Sequence, residues 1–218
     1  MIRRLKIAGV SLAAWGLIVI PPAGAGVTGD ASPAVTSAAV APAPQARPAE
    51  WAQPLILEGL PNLHKVAEGL YRGAQPTAAG FEQLKRLGVR TVIDLRVNHS
   101  DQDLLPPAGM RQEVIPMQTW HVDAAAVERF LAIVADSNRA PVFVHCQHGA
   151  DRTGLMCAIY RVVVCNWDKE SAIREMTQGG FGFHPIWLNL AHAVRTLDAD
   201  ALRQALAARQ PAASGGPP

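Results

Sequence analysis

Cysteine is scarce in this 218-residue chain, and so are aromatic side chains, net charge and long apolar runs. Three cysteines do not make a disulfide framework. Cys157 and Cys165 stand eight residues apart on one expected helix, about 12 Å along its axis and too far to bridge. Both read as small buried residues. Aromatics make up 6% of the chain, so the core has to be built from Leu, Val and Ile. The 49% apolar fraction is inflated by alanine, much of it outside that core. The net charge is only +2, and it becomes −1 without residues 1–25, because Arg3, Arg4 and Lys6 leave and no acid does. Such a balance argues against nucleic-acid binding through an extended basic face. There is no internal repeat.

The longest apolar run, Ile7 to Ile20, is shorter than the roughly 20 residues of a spanning helix. With Arg3, Arg4 and Lys6 before it and Ala23-Gly24-Ala25 after it, residues 1–25 have the layout of a cleaved secretory signal. After cleavage no stable membrane insertion is expected, and the rest of the chain should lie outside the cytoplasm. Residues 26–54 are rich in Ala, Pro, Ser and Thr and read as a disordered linker. The folded domain is expected over residues 55–209, and residues 210–218 should form a disordered tail. Within the domain, short apolar runs alternate with helical periodicity. Strands are expected around Leu70–Arg72, Val89–Leu95, Arg111–Pro116 and Val142–Val144. Helices are expected after Thr77, Asp123 and Asp168 as N-caps, over Thr153–Val164, over His184–Leu197 and from Asp198 to about Ala208. That alternation, ending in a helical tail, indicates an α/β fold with ligand at the carboxyl ends of the strands.

The stretch that carries chemistry is His145 to Gly154, H-C-Q-H-G-A-D-R-T-G, between the last strand and a long helix. Cysteine, five residues, then arginine is the spacing that holds a phosphate ester against a thiolate. The N–H groups of Gln147, His148, Gly149, Ala150, Asp151 and Arg152 can curl around one anion, helped by the following helix N-terminus. Those dipoles and Arg152 should favour the Cys146 thiolate. The Arg152 fork can bind two phosphoryl oxygens at once. Thr153 is placed to hydrogen-bond the sulfur, and Gly149 and Gly154 allow close backbone approach and tight helix packing.

This run resembles the signature of the cysteine-dependent tyrosine and dual-specificity phosphatases. Leu70-Tyr71-Arg72-Gly73-Ala74-Gln75-Pro76-Thr77, Thr91-Val92-Ile93-Asp94-Leu95-Arg96 and Gly179-Gly180-Phe181-Gly182-Phe183-His184-Pro185 are similar to the small bacterial branch of that family. The resemblance spans roughly residues 61–195. It implies a central, largely parallel sheet of four to five strands flanked by helices. It also implies metal-independent hydrolysis of phosphotyrosine through a phosphocysteine, with no cofactor, by a periplasmic monomer. A phosphotyrosine-containing protein would be the substrate, with the periplasmic domain of an inner-membrane signalling enzyme linked to biofilm control as one candidate.

The general acid is less legible. Asp123 is ranked first, although it also reads as a helix cap; His121, Asp101 and Asp103 are the other candidates. His145 reads as a core imidazole bonding the loop backbone, and Asp151 as a carboxylate bracing the loop through backbone or Arg96. Arg72 and Arg96 read as buttresses. The segment from Gln178 to Pro185 reads as a mobile aromatic lip. Inositol phosphates or phosphoinositides are the alternative substrates. A zinc site at His145, Cys146 and His148 lacks a second ligand pair at familiar spacing. A sulfur-transfer enzyme would use a loop one residue shorter, and a non-catalytic phosphate-binding module would be expected to lose Cys146 or Arg152.

Overall fold

The computed structural model describes residues 47–104 and 109–209. The expected signal (1–25), the linker as far as residue 46, and the tail (210–218) lie outside the described residues. Six strands form one sheet in the order β1-β2-β3-β6-β4-β5. They are β1 (Gln53–Pro54), β2 (His64–Ala67), β3 (Leu70–Gly73), β4 (Thr91–Asp94), β5 (Arg111–Val114) and β6 (Val142–His145). The pairs β3·β6, β6·β4 and β4·β5 are parallel, while β1 and β2 add antiparallel strands at one edge. The sheet is therefore largely parallel as expected but has six strands, not four to five. The two extra strands are short and polar and sit at the edge, so they carry no apolar run.

Registry brings the strand ends level. His145 of β6 pairs with Gly73 on one side and Asp94 on the other. The polypeptide thus leaves the central strand with the connections after β3, β4 and β5 around it, at the carboxyl edge where α/β folds bind ligands. Strand β6 is buried throughout because both sheet faces are covered. Phe143 and Val92 face a small cluster with Phe81 and Leu84 of α1 (Ala78–Arg86). Val142, Val144 and Ile93 alternate to the opposite face. There they meet α2 (Ala124–Val134), α3 (Asp151–Val163), α4 (Lys169–Gln178), α5 (Leu188–Thr196) and α6 (Ala199–Arg209).

The expected caps are in place. Thr77 accepts from Gly80 N at 3.2 Å, Asp123 from Ala125 N at 3.0 Å and Asp168 from Ser171 N at 2.8 Å. Helix α5 starts four residues later than the periodicity suggests, because the His184 N–H donates to Asp151 and not to a helical turn. Helix α3 starts two residues earlier, at Asp151.

The fold also begins before residue 55. Ala52 is buried, and its N–H donates to Glu175 Oε1 at 2.5 Å. Glu175 pairs with Arg161 inside the helical layer at 2.7 Å, and Arg161 Nη2 reaches Glu50 O at 3.0 Å. Arg47 donates to Gly179 O at 2.6 Å. Residues 47–54 therefore form a strap over α3 and α4. The proline- and alanine-rich composition of this stretch conceals it, because the strap is held by polar contacts supplied from helices more than a hundred residues away.

Candidate active site

Cys146 is the first residue after β6, buried at the head of a loop that runs directly into α3. What shapes the loop is the disposal of its carbonyls. Cys146 O faces His145 Nδ1 at 3.3 Å, and Gln147 O accepts from Gln75 N at 3.2 Å. His148 O accepts from Asn62 Nδ2 at 3.0 Å. Gly149 O and Ala150 O accept from Arg72 Nη2 at 2.6 and 3.4 Å. Five consecutive carbonyls are thus tied outward. Helix α3 has no side-chain cap, and Gly154 N, donating to Ala150 O, makes its first turn. Among the described residues no N–H from Gln147 to Thr153 has an acceptor. Unspent donors converging at a helix N-terminus are what an anion requires.

Gly149 makes this path possible. Its φ is +67°, and a Cβ there would lie 2.4 Å from the Gly73 backbone. Gly154 lets α3 approach α4, since a Cβ would sit 3.1 Å from Met176 Cγ. Arg152 enters between the connections after β4 and β5, with long bonds to Leu95 O at 3.4 Å and Met117 O at 3.5 Å. Gln147 and His148 are exposed at the loop's crest, where they flank the mouth. The expected bond from Thr153 to the sulfur is not formed: its hydroxyl is buried and has no hydrogen-bond partner. Cys157 lies in the core, where burial raises its thiol pKa to about 11. All three cysteines are free.

Beneath the loop lies a buried polar network. His145 Nε2 meets Asp101 Oδ2 at 2.8 Å, and Gln75 Nε2 donates to Asp101 Oδ1 at 2.6 Å. Gln75 Oε1 accepts from Arg96 Nη1 at 2.8 Å. Asp94 accepts from Arg96 N at 2.8 Å and faces His99 Nδ1 at 2.9 Å. Burial pushes the Asp101 carboxyl up, but the hydrogen bonds from His145 and Gln75 and the nearby imidazoles outweigh it, and the result lies below the ordinary range. Donor atoms of Asp94, Asp101 and His145 come within 4.8 Å of one another, the spacing of a metal site. Each is already spent on a protein hydrogen bond, so the trio reads as the frame of the loop. His148 is elsewhere, its ring 6.3 Å from that of His184, so the imagined trio of His145, Cys146 and His148 does not converge.

The acid candidates separate. Asp101 is fully buried, with both oxygens engaged, and a carboxylate held ionised there is unsuited to deliver a proton at the mouth. Asp103 and His121 are exposed. Asp123 is exposed and caps α2, six residues beyond Met117, whose carbonyl touches Arg152. Asp151 does brace the loop, but through His184 and not Arg96. Its carboxylate accepts from His184 N at 2.9 Å and meets His184 Nδ1 at 2.8 Å. The aromatic lip is partly packed away: Phe181 is buried with the Arg72 guanidinium 3.7 Å over its ring. Phe183 is half-buried.

Three residues received no role from the motifs. Asn62, at φ +57°, clamps His148 O and Phe181 O together. Gln75 is a hub between two strand ends, and Asp94 anchors the third. The available signal was a carboxylate closing the apolar strand T-V-I-D, where a solvated residue or a core residue would be ordinary and a buried acid is not.

Comparison with known proteins agrees with this geometry. Residues 60–186, more than half of the chain, match the family model described as DSP-PTPase phosphatase fused to NAD+ kinase. The chain is 39% identical over 158 residues to the dual specificity protein phosphatase TpbA of Pseudomonas aeruginosa, covering 72% of this chain and 71% of that protein. A crystal structure of a cysteine-to-serine variant of P. aeruginosa TpbA in complex with pTyr superposes with a TM-score of 0.65. It is 39% identical and covers 74% of this chain and 98% of that one. An inositol diphosphatase of Arabidopsis thaliana is more distant, 26% identical over 66% of this chain and 74% of its own length. The chain belongs to the DSP-PTPase family of dual-specificity protein phosphatases.

Proposed function

We propose that the protein hydrolyses phosphotyrosine in protein substrates, without metal, through a phosphocysteine. The observation that supports this most is the loop itself: one buried thiol ringed by unspent N–H groups, with one arginine at its edge. Cys146 Sγ attacks phosphorus as the P–O ester bond breaks, and Asp123 gives its proton to the departing phenolic oxygen. Water then attacks the phosphocysteine, Asp123 takes the proton, the S–P bond breaks and phosphate leaves. The loop N–H groups and Arg152 hold the equatorial oxygens in both steps.

Inositol phosphates and phosphoinositides are the weaker reading. The loop crest carries Gln147 and His148 and no lysine or arginine, where a second phosphate would call for permanent cations. Pairing of Asp151 with His184 further argues against Asp151 reading a sugar or inositol hydroxyl. The N-terminal stretch supports a periplasmic location, and likeness to a tyrosine phosphatase related to biofilm formation supports a role in signalling there, with a membrane-borne signalling protein as the phosphorylated partner. A reporter active only outside the cytoplasm, fused after residue 46, should be active in cells.

The test of the chemistry is phosphate release from a phosphotyrosine peptide, a phosphothreonine peptide and a soluble phosphoinositide, in reducing buffer with chelator. Turnover should favour phosphotyrosine and vanish in Cys146→Ser. Asp123→Asn should lower kcat by about 10²- to 10⁴-fold and remove one limb of the pH profile. Full activity in Asp123→Asn would move the acid role to His121. Preference for the phosphoinositide would overturn the substrate assignment.

A further inference from the structure

Large apolar side chains are exposed at six places among the described residues: Ile56, Leu104, Trp120, Val164, Ile186 and Leu188. All but Val164 stand on segments bonded to the phosphate loop or its frame. Three of them form one ridge. His184 is held to Asp151 of the loop, and Asn189 Nδ2 donates to Thr119 O at 2.8 Å. The segment from His184 to Asn189 therefore runs from the loop to the turn that Gln118 and His121 close. Along it and beside it stand Trp120, Ile186 and Leu188, exposed by 67%, 78% and 76%. Single exposed apolar residues are unremarkable on any surface, but three on joined segments, one of them tied to the phosphate loop, mark an interaction site.

Charge indicates what kind of ligand fits. Residues 55–62, 101–104, 117–121, 145–151 and 179–188 contain no lysine or arginine, while Glu58 and Asp103 are exposed acids. A site for polyphosphorylated rings or for an anionic bilayer needs cations around its mouth. Arg96, half-buried, is spent on Gln75, and Arg152 is left to the bound phosphoryl group, so neither is free for a second anion.

We propose that the Trp120–Ile186–Leu188 ridge docks apolar residues flanking the phosphorylated side chain of a protein substrate, and that it disfavours acidic flanks. This rests on the protein-phosphatase reading above. The occupant is an extended peptide segment, which gains about 3.3 Å of reach for each residue beyond the phosphoester. Covering the ridge releases water from apolar surface that the phosphate pocket does not touch.

The experiment compares four substrates on the full chain: a phosphotyrosine peptide with apolar flanks, the same peptide with acidic flanks, a phosphoinositide presented in vesicles, and p-nitrophenyl phosphate, which fills only the pocket. The unsubstituted protein should prefer the apolar flanks. The double variant Ile186→Ser/Leu188→Ser should lose about tenfold in kcat/KM on the apolar-flanked peptide, through KM, and keep its rate on p-nitrophenyl phosphate. Val164→Ser, remote from the mouth, should behave as the parent. Equal rates on both peptides, or an equal loss on peptide and p-nitrophenyl phosphate, would overturn the ridge. Loss confined to a phosphoinositide presented in vesicles would replace the peptide with a membrane. Absence of p-nitrophenyl phosphate turnover in the parent would instead count against the phosphatase reading itself.

Discussion

Arg72 carries a charge into the core and hydrogen-bonds only to carbonyls, those of Gly149 and Ala150, beneath the Phe181 ring. Burial draws its pKa below that of a free guanidinium, a sign of what the position costs. Its return is the orientation of two peptide units of the phosphate loop. Arg72→Met should leave the circular dichroism spectrum native and lower kcat/KM on the order of a hundredfold, as displaced donors do. Arg72→Lys should rescue little, because an ammonium cannot both stack on the ring and span two carbonyls. Asp101 offers a pH test. Its folded carboxyl is held below the ordinary 3.8, so its stabilisation is present above that value and lost as pH falls through the depressed one. Asp101→Asn should therefore lower Tm at neutral pH and flatten the fall of Tm below about pH 4. An unchanged acid limb would mean another carboxylate controls it.

Helix α3 is the element on which the chemistry stands, and its contact with α4 is set at Gly154. A side chain there meets Met176 at 3.1 Å. Gly154→Val should cost roughly 1–3 kcal/mol by overpacking, read as a lowered Tm, and Met176→Ala should recover part of it. The elements themselves were largely legible. Thr77, Asp123 and Asp168 announce their helices because a short polar side chain before an apolar period has a local reason to be there. Strand β6 announces itself as a bare apolar run. Strands β1 and β2 do not, since H-K-V-A owes its place to the partner strand and not to its own pattern. The thiol, the arginine and the glycines were legible because a phosphate loop is local in sequence. Asn62, Gln75 and Asp94 were not, because Asn62 acts on carbonyls 86 and 119 positions away, Gln75 on side chains 21 and 26 positions away, and Asp94 through burial that only the assembled sheet creates.

At the scale of the molecule, the domain boundary is where composition misled. Alanine and proline before residue 55 read as tether, yet Ala52, Glu50 and Arg47 close over the Arg161–Glu175 pair. Without them Glu175 Oε1 loses a buried donor and the pair opens to water. A fragment of residues 55–209 should unfold at a lower Tm than one of residues 47–209 and bind more hydrophobic dye; equal melting would return the boundary to 55.

The outward-tied carbonyls of residues 146–150 have one more consequence. With its donors already aimed, the loop spends little reorganisation on any tetrahedral oxyanion, and it cannot tell an ester from free phosphate by the anion alone. The reaction's own product should therefore linger. Inorganic phosphate should compete with substrate, and the enzyme's throughput in a phosphate-rich medium should be governed by how fast the cradle empties, not by how fast it fills.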